Sequence, residues 1–222
     1  FGEAIYMEPV ADCVDARLGV PVRSLYGDSV QSLALSASWL DGVDAVVCDL
    51  QDVGARYYTY AATMAMAMDA CAAAGVAFVV ADRPNPIGGC RVEGNRVLPA
   101  CQSFVGHFSV PNRHGMTVGE LAHWHARTTK SSLDLTVIAC PGWSRNLQWL
   151  DTGLPFVPPS PNIPNWETAL VYPGMCLLEG TNLSEGRGTT LPFFLLGAPY
   201  VTDPWEWAQA LDAERVPGVA WR

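Results

Sequence analysis

Positive charge is scarce in this chain of 222 residues: 13 Lys and Arg stand against 22 Asp and Glu, a formal net charge of −9. No long basic run occurs. Counterion release needs clustered Lys and Arg, so this balance excludes a nucleic-acid surface, and a polybasic membrane face with it. Cysteine pairing motifs are lacking too. The 7 cysteines are an odd number, none sits in a C-x-x-C pair, and Cys48, Cys71, Cys140 and Cys176 lie in apolar context. They are expected as buried free thiols rather than a disulfide framework. Other absences narrow the chemistry. No G-x-G-x-x-G follows a strand signal, no G-x-S-x-G elbow is present, and no H-E-x-x-H occurs, which leaves dinucleotide, serine-hydrolase and zincin readings unsupported. His123 and His125 stand two apart on an expected helix and point to opposite faces, so they do not share a metal. His107 and His114 fall in a loop without a partner spacing, so no metal is expected.

A single apolar window reaches membrane length, residues 61–80, with Asp69 its one charge. It is built largely of alanine, which contributes little transfer energy, and Gly75 divides it. It reads as an Ala/Met helix capped by Gly75, followed by a buried strand over 76–81, not as a span. The chain opens on Phe1-Gly2-Glu3 rather than Met, and is expected to be a fragment of a longer protein.

What is present points to a packed globular chain, 50% hydrophobic and 10% aromatic, long enough for one domain or two small ones. Strand and helix signals alternate: strands over 20–26, 44–50, 76–82 and 133–140, helices over 30–40 and 57–74. A further helix begins at Thr117, with Glu120 completing a capping box. The run 44–50 is continuously apolar, as for a central parallel strand buried on both faces. Such alternation predicts right-handed crossovers and an α/β fold with a Rossmann-like, open, mostly parallel sheet over 1–142. Beyond Pro141 the texture changes. Five prolines between Trp143 and Trp166 forbid a long regular element, and residues 143–222 are expected to begin a second α/β subdomain, with a helix over 203–214.

Ligands of open α/β sheets bind beyond the carboxyl ends of the strands. Two polar clusters fall there: Gln51-Asp52-Val53-Gly54-Ala55-Arg56-Tyr57-Tyr58-Thr59-Tyr60, and Asp82-Arg83-Pro84-Asn85-Pro86. Asp52 and Asp82 either cap helices and pair with the neighbouring arginines or line a site, and their recurrence at two strand ends favours the site. Tyr57, Tyr58 and Tyr60 either pack in the core or form a sugar platform. Arg113 and His114 supply further polar contacts. A third cluster, Leu178 through Thr190, packs Glu179, Asn182, Glu185 and Arg187 among three glycines. Five residues separate Gly180 from Gly186, and Arg187 stands where a phosphate loop needs Lys, so that reading fails. Carboxylates, amides, hydroxyls and aromatics with few cations suit a carbohydrate, and paired carboxylates are what glycoside hydrolysis requires.

These motifs, together with Arg113-His114-Gly115-Met116-Thr117 and Pro159-Ser160-Pro161-Asn162-Ile163-Pro164, occur in one order that resembles the exo-β-N-acetylmuramidase family (NamZ-like). The likeness covers nearly the whole chain. It implies release of terminal N-acetylmuramic acid from the non-reducing end of peptidoglycan fragments. It also implies a Rossmann-like subdomain joined to a second α/β subdomain, with the active site in the cleft between them and neither metal nor nucleotide cofactor. A muropeptide or peptidoglycan-derived sugar is then the substrate, and a periplasmic or secreted setting is favoured, with a cytoplasmic one the alternative. Family members carry an upstream Pro-Glu-His-Gly segment whose Glu is a candidate acid, and this chain is expected to lack it. A non-catalytic sugar- or anion-binding module is therefore the alternative.

Within this chain Glu179, Asp52 and Glu185, in that order, are the expected catalytic carboxylates. Glu179 follows the apolar Met175-Cys176-Leu177-Leu178 and is expected at the tip of a buried strand, where desolvation suits proton transfer; the alternative is that it accepts N–H bonds from its own loop. Arg56, Tyr57, Tyr58, Asp82, Arg83, Asn85, Arg113, His114, Asn162, Asn182 and Arg187 are the expected binding residues. Arg187 is favoured as the reader of the lactyl carboxylate.

Overall fold

A computed structural model describes residues 11–27 and 29–222; the opening Phe1-Gly2-Glu3 lies outside the described residues. The chain divides into two compact units, Phe1–Pro173 and Gly174–Arg222. The first begins with a short antiparallel ribbon, β1 (Cys13–Val14) against β2 (Pro21–Val22). Its centre is a parallel sheet of β3 (Ala45–Cys48), β4 (Ala77–Ala81) and β5 (Leu135–Ile138) in that spatial order. Val47 pairs with Val79, which in turn pairs with Thr136.

The crossovers are α1 (Tyr60–Ala74) and α2 (Val118–Thr129). Gly75 ends α1 in the left-handed region, φ 70°, and its N–H bonds the Cys71 carbonyl, a conformation glycine adopts without a Cβ penalty. Thr117 and Glu120 form the reciprocal capping box at the start of α2. The first half of α1 is buried all round, and its Met64 and Met68 share one core cluster with Phe78 and Val80 of the sheet and Leu121 of α2.

This is the expected α/β parallel architecture, with three local corrections. β3 is not buried on both faces. The helices cover one face of the sheet, and on the other Val47 is 65% and Ile138 58% exposed. The strand expected over 20–26 is reduced to the two residues of β2. The helix expected over 30–40 is two 3-10 turns, Val30–Leu33 and Ala37–Trp39. Serines there bond locally, Ser32 Oγ to the Ser29 carbonyl at 2.6 Å and Ser36 with Ser38 at 2.9 Å, and such bonds compete with the helix ladder.

The proline-rich segment belongs to the first unit, so the units divide well beyond the change of texture at Pro141. Gly89 N–H donates to the Arg145 carbonyl at 2.7 Å, Trp149 N–H to Pro86 at 3.0 Å, and the Tyr60 hydroxyl to Pro159 at 2.7 Å. Trp149 and Ile163 are buried. The division falls inside α3 (Trp166–Met175), next to its internal Pro173. The second unit holds a 3-10 turn at Cys176–Gly180, a bridge between Ser184 and Gly197, and α4 (Pro204–Ala213), capped by Asp203. No helix among the described residues is long and apolar enough to cross a membrane.

Candidate functional site

The carboxyl ends of β3 and β4 feed two loops that lock together. Gly54 has φ 82°, and a Cβ there would stand 2.6 Å from both Asn85 Oδ1 and Ile87 Cγ1. Only glycine fits so close an approach at positive φ. Asn85 is itself fixed, accepting Ile87 N–H at 3.1 Å and donating to the Met116 carbonyl at 2.9 Å. A third strand of chain closes the arrangement: Arg56 N–H bonds the Asn112 carbonyl at 2.9 Å, and His114 N–H bonds Gly54 at 3.3 Å.

This framework encloses Asp52 and His114, whose side chains are 5% and 1% exposed. Asp52 Oδ2 accepts the Gly54 N–H at 2.7 Å and lies 3.2 Å from His114 Nε2. Asp52 Oδ1 and His114 Nε2 are buried and have no hydrogen-bond partner. Burial pushes the Tyr58 phenol strongly up, opposed by the Ser160 hydroxyl and reinforced by the Tyr60 and Asp52 side chains. The Tyr58 ring packs 4.9 Å from Tyr60 and 5.9 Å from Tyr172. Four stretches distant in sequence thus meet around one buried carboxylate.

The remaining candidates of the first unit are held by the scaffold. Asp82 accepts Thr117 Oγ1 at 2.8 Å and Gly119 N–H at 2.8 Å, tying β4 to the start of α2. Arg83 pairs with Asp49 at 2.6 Å, which holds the Asp49 carboxyl below its usual range. Arg113 pairs with Glu93 at 2.9 Å and donates to the Ile87 carbonyl at 2.6 Å. Arg56 donates to the Asn95 and Val110 carbonyls at 2.5 and 2.7 Å. Tyr57 donates to the Pro173 carbonyl and packs 5.7 Å from Tyr172. Asn162 is half-buried beside Ile163 in the proline-rich segment.

Glu179, Asn182, Glu185 and Arg187 lie in the second unit. Glu179 does not sit at the tip of a buried strand: α3 runs into the 3-10 turn, Leu177 is 57% exposed, and the Glu179 side chain is 40% exposed. The last residue of α3 and the 3-10 turn after it supply the apolar run that read as a strand. Glu179 pairs with Arg187, whose Nε also lies 3.5 Å from Glu185, and the guanidinium stands 5.2 Å over the Phe193 ring. Glu185 is the buried carboxylate of this unit. Asn182 accepts from the Tyr200 hydroxyl at 2.8 Å.

Sequence reasoning missed Ser160 and Gln51. Ser160 lies inside a quoted motif, yet nothing marks its hydroxyl before Tyr58 is seen beside it. Gln51 donates to the Asp52 and Pro84 carbonyls at 2.7 and 3.0 Å, bridging the two strand-end loops.

Two family descriptions tile the chain: "Exo-beta-N-acetylmuramidase NamZ, N-terminal" over residues 1–167 and its C-terminal counterpart over 170–222. The chain belongs to this family. Their junction falls within a few residues of the structural division in α3. The chain is 46% identical over 221 residues to the peptidoglycan β-N-acetylmuramidase NamZ of Bacillus subtilis, covering 100% of itself and 52% of that protein. Two solved structures of DUF1343 family proteins from Bacteroides fragilis share its fold. One has a TM-score of 0.86 at 38% identity over 94% of this chain and 54% of that one. The other has a TM-score of 0.71, also at 38% identity, over 86% and 51%. The chain thus spans about half the length of the curated relative it matches.

Proposed function

We propose that this protein is a glycoside hydrolase releasing terminal N-acetylmuramic acid from the non-reducing end of peptidoglycan fragments. The observation that carries the reading is the 46% identity, over the whole chain, to a peptidoglycan β-N-acetylmuramidase. The first unit supports it chemically. Asp52 is a buried carboxylate held on one oxygen with the other unpaired, set among the Tyr58 and Ser160 hydroxyls. A carboxylate so placed can take a proton from water or steady an oxocarbenium-like transition state. On this reading Asp52 moves ahead of Glu179, whose charge is already met by Arg187, and Glu185 ranks between them because it is buried.

The test is the full-length gene product on a chromogenic N-acetylmuramide, with Asp52→Asn beside the wild type. Asn keeps the shape and removes the charge. A kcat lower by about 10²-fold or more, the scale of lost acid–base catalysis, at unchanged Tm supports the role. Binding of N-acetylmuramic acid without turnover by the wild type favours the non-catalytic sugar-binding module instead.

A further inference from the structure

His114 is the most enclosed titratable side chain of the site, and its two ring nitrogens have different partners. Nδ1 accepts the Met116 N–H at 3.1 Å. A nitrogen that accepts carries no proton, so in the neutral ring the proton sits on Nε2. That Nε2–H faces Asp52 Oδ2 at 3.2 Å, beside the Gly54 N–H that reaches the same oxygen at 2.7 Å. Gly54 N–H therefore supplies the one hydrogen bond on Oδ2, His114 Nε2 stands against the same oxygen without completing a second, and Oδ1 and Nε2 are both left unpaired. The backbone reinforces this aim: His114 N–H is bonded to Gly54, and Ala55 bridges Arg113, so ring and carboxylate ride on the same laced loops.

We propose that His114 is a positioning residue for Asp52: with its tautomer set by Met116, it holds its Nε2–H against Oδ2 by charge–dipole attraction and so fixes the carboxylate with Oδ1 as its unpaired oxygen. The proposal rests on the glycosidase reading above. It assigns the two ring nitrogens separate tasks, and two amide substitutions separate them. Gln places an amide nitrogen near the Nε2 position and keeps the donor toward Asp52. Asn places its carbonyl near the Nδ1 position, so it keeps the acceptor for Met116 and loses the donor.

The experiment compares His114→Gln and His114→Asn in the full-length gene product on a chromogenic N-acetylmuramide, with kcat, KM and Tm for each. The expected result is a kcat about 10-fold or more lower for His114→Asn, a modest part of an acid–base contribution. KM should change little, and His114→Gln should recover most of kcat whatever the order of the two Tm values. A kcat that follows Tm, or that Asn preserves better than Gln, makes His114 a packing residue and overturns the proposal. A second readout needs no turnover. The 15N shifts of His114 should report the Nε2–H tautomer and move in Asp52→Asn; an Nδ1–H tautomer overturns the proposal. If the wild type fails to turn over the substrate while the tautomer is as stated, the glycosidase reading fails and the geometry of the pair stands.

Discussion

The two units treat their carboxylates in opposite ways. In the first, Asp52 is sealed inside a lattice of backbone hydrogen bonds and keeps one oxygen unpaired. In the second, Glu179 and Glu185 share one guanidinium, and Glu179 is 40% exposed. A charge with a salt-bridge partner in reach of water has little left to offer a reaction. A buried charge that is only half satisfied is costly to fold and is kept where it has work to do. The contrast therefore ranks the sites by what each carboxylate lacks rather than by how many polar residues surround it.

The sharpest way to break this ranking is to neutralise one carboxylate in each unit. Asp52→Asn should lower kcat by about 10²-fold or more. Glu179→Gln should stay within about 5-fold of wild type, the reach of a surface pair worth up to ~1 kcal/mol. If steady-state kinetics give the reverse order, the second unit holds the chemistry and the comparison collapses.

A stability contrast comes next. Gly54→Ala forces a left-handed alanine whose Cβ meets Asn85 and Ile87 at 2.6 Å, and should cost about 3 kcal/mol from backbone strain and overpacking together. Gly142 has a similar φ of 77° with nothing within 4 Å, so Gly142→Ala should cost about 1 kcal/mol from strain alone. Urea midpoints separate the two, and equal losses would show that the loop lattice around Asp52 is not tight. In the second unit, Arg187→Lys replaces a planar fork with a point charge that cannot meet two carboxylates and the Phe193 face together. A loss of about 1 kcal/mol is expected by the same measurement, with kcat largely kept. A KM raised strongly at unchanged stability would restore Arg187 as a reader of the substrate carboxylate.

How far the sequence could be read follows the range of the forces involved. Gly75 and the Thr117–Glu120 box act within one helical turn, and both helices end or start where those residues say. The Rossmann-like alternation was legible because periodicity is a local property. The exposed face of β3 was not, since an apolar run looks the same whether one or both sides are covered. The motifs around Asp52 were visible, but Ser160 and Gln51 acquire meaning only when the proline-rich segment and the β4 loop fold back beside it. Glu179 misled because a 3-10 turn at a helix end and a short strand share an apolar composition.

The smallest expected effect again separates the units. All 4 histidines lie in the first unit. His107 packs its ring 5.3 Å from Phe108 and 5.6 Å from His125, and His125 in turn lies 2.8 Å from Asp69. Burial, and then the charge of His125, push the His107 pKa below its ordinary 6.5, while Asp69 opposes them. A histidine depressed in the folded state binds its proton first in the unfolded chain. Its stabilisation is therefore complete above pH 6.5 and is lost progressively as the pH falls from that value through the lower folded-state one. Between pH 7.5 and 5.5, His107→Gln should reduce the acid-induced fall in Tm by no more than about 3 °C, the scale of ~1 kcal/mol in a chain of this length. Hydrogen exchange resolves where the loss occurs: protection in α1 and α2 should weaken with acid in the wild type and less so in the variant. Protection across 174–222, where no histidine titrates, should keep its pH dependence in both. An undiminished acid response in His107→Gln would remove His107 as its source, and equal weakening in the second unit would remove the distinction between the two.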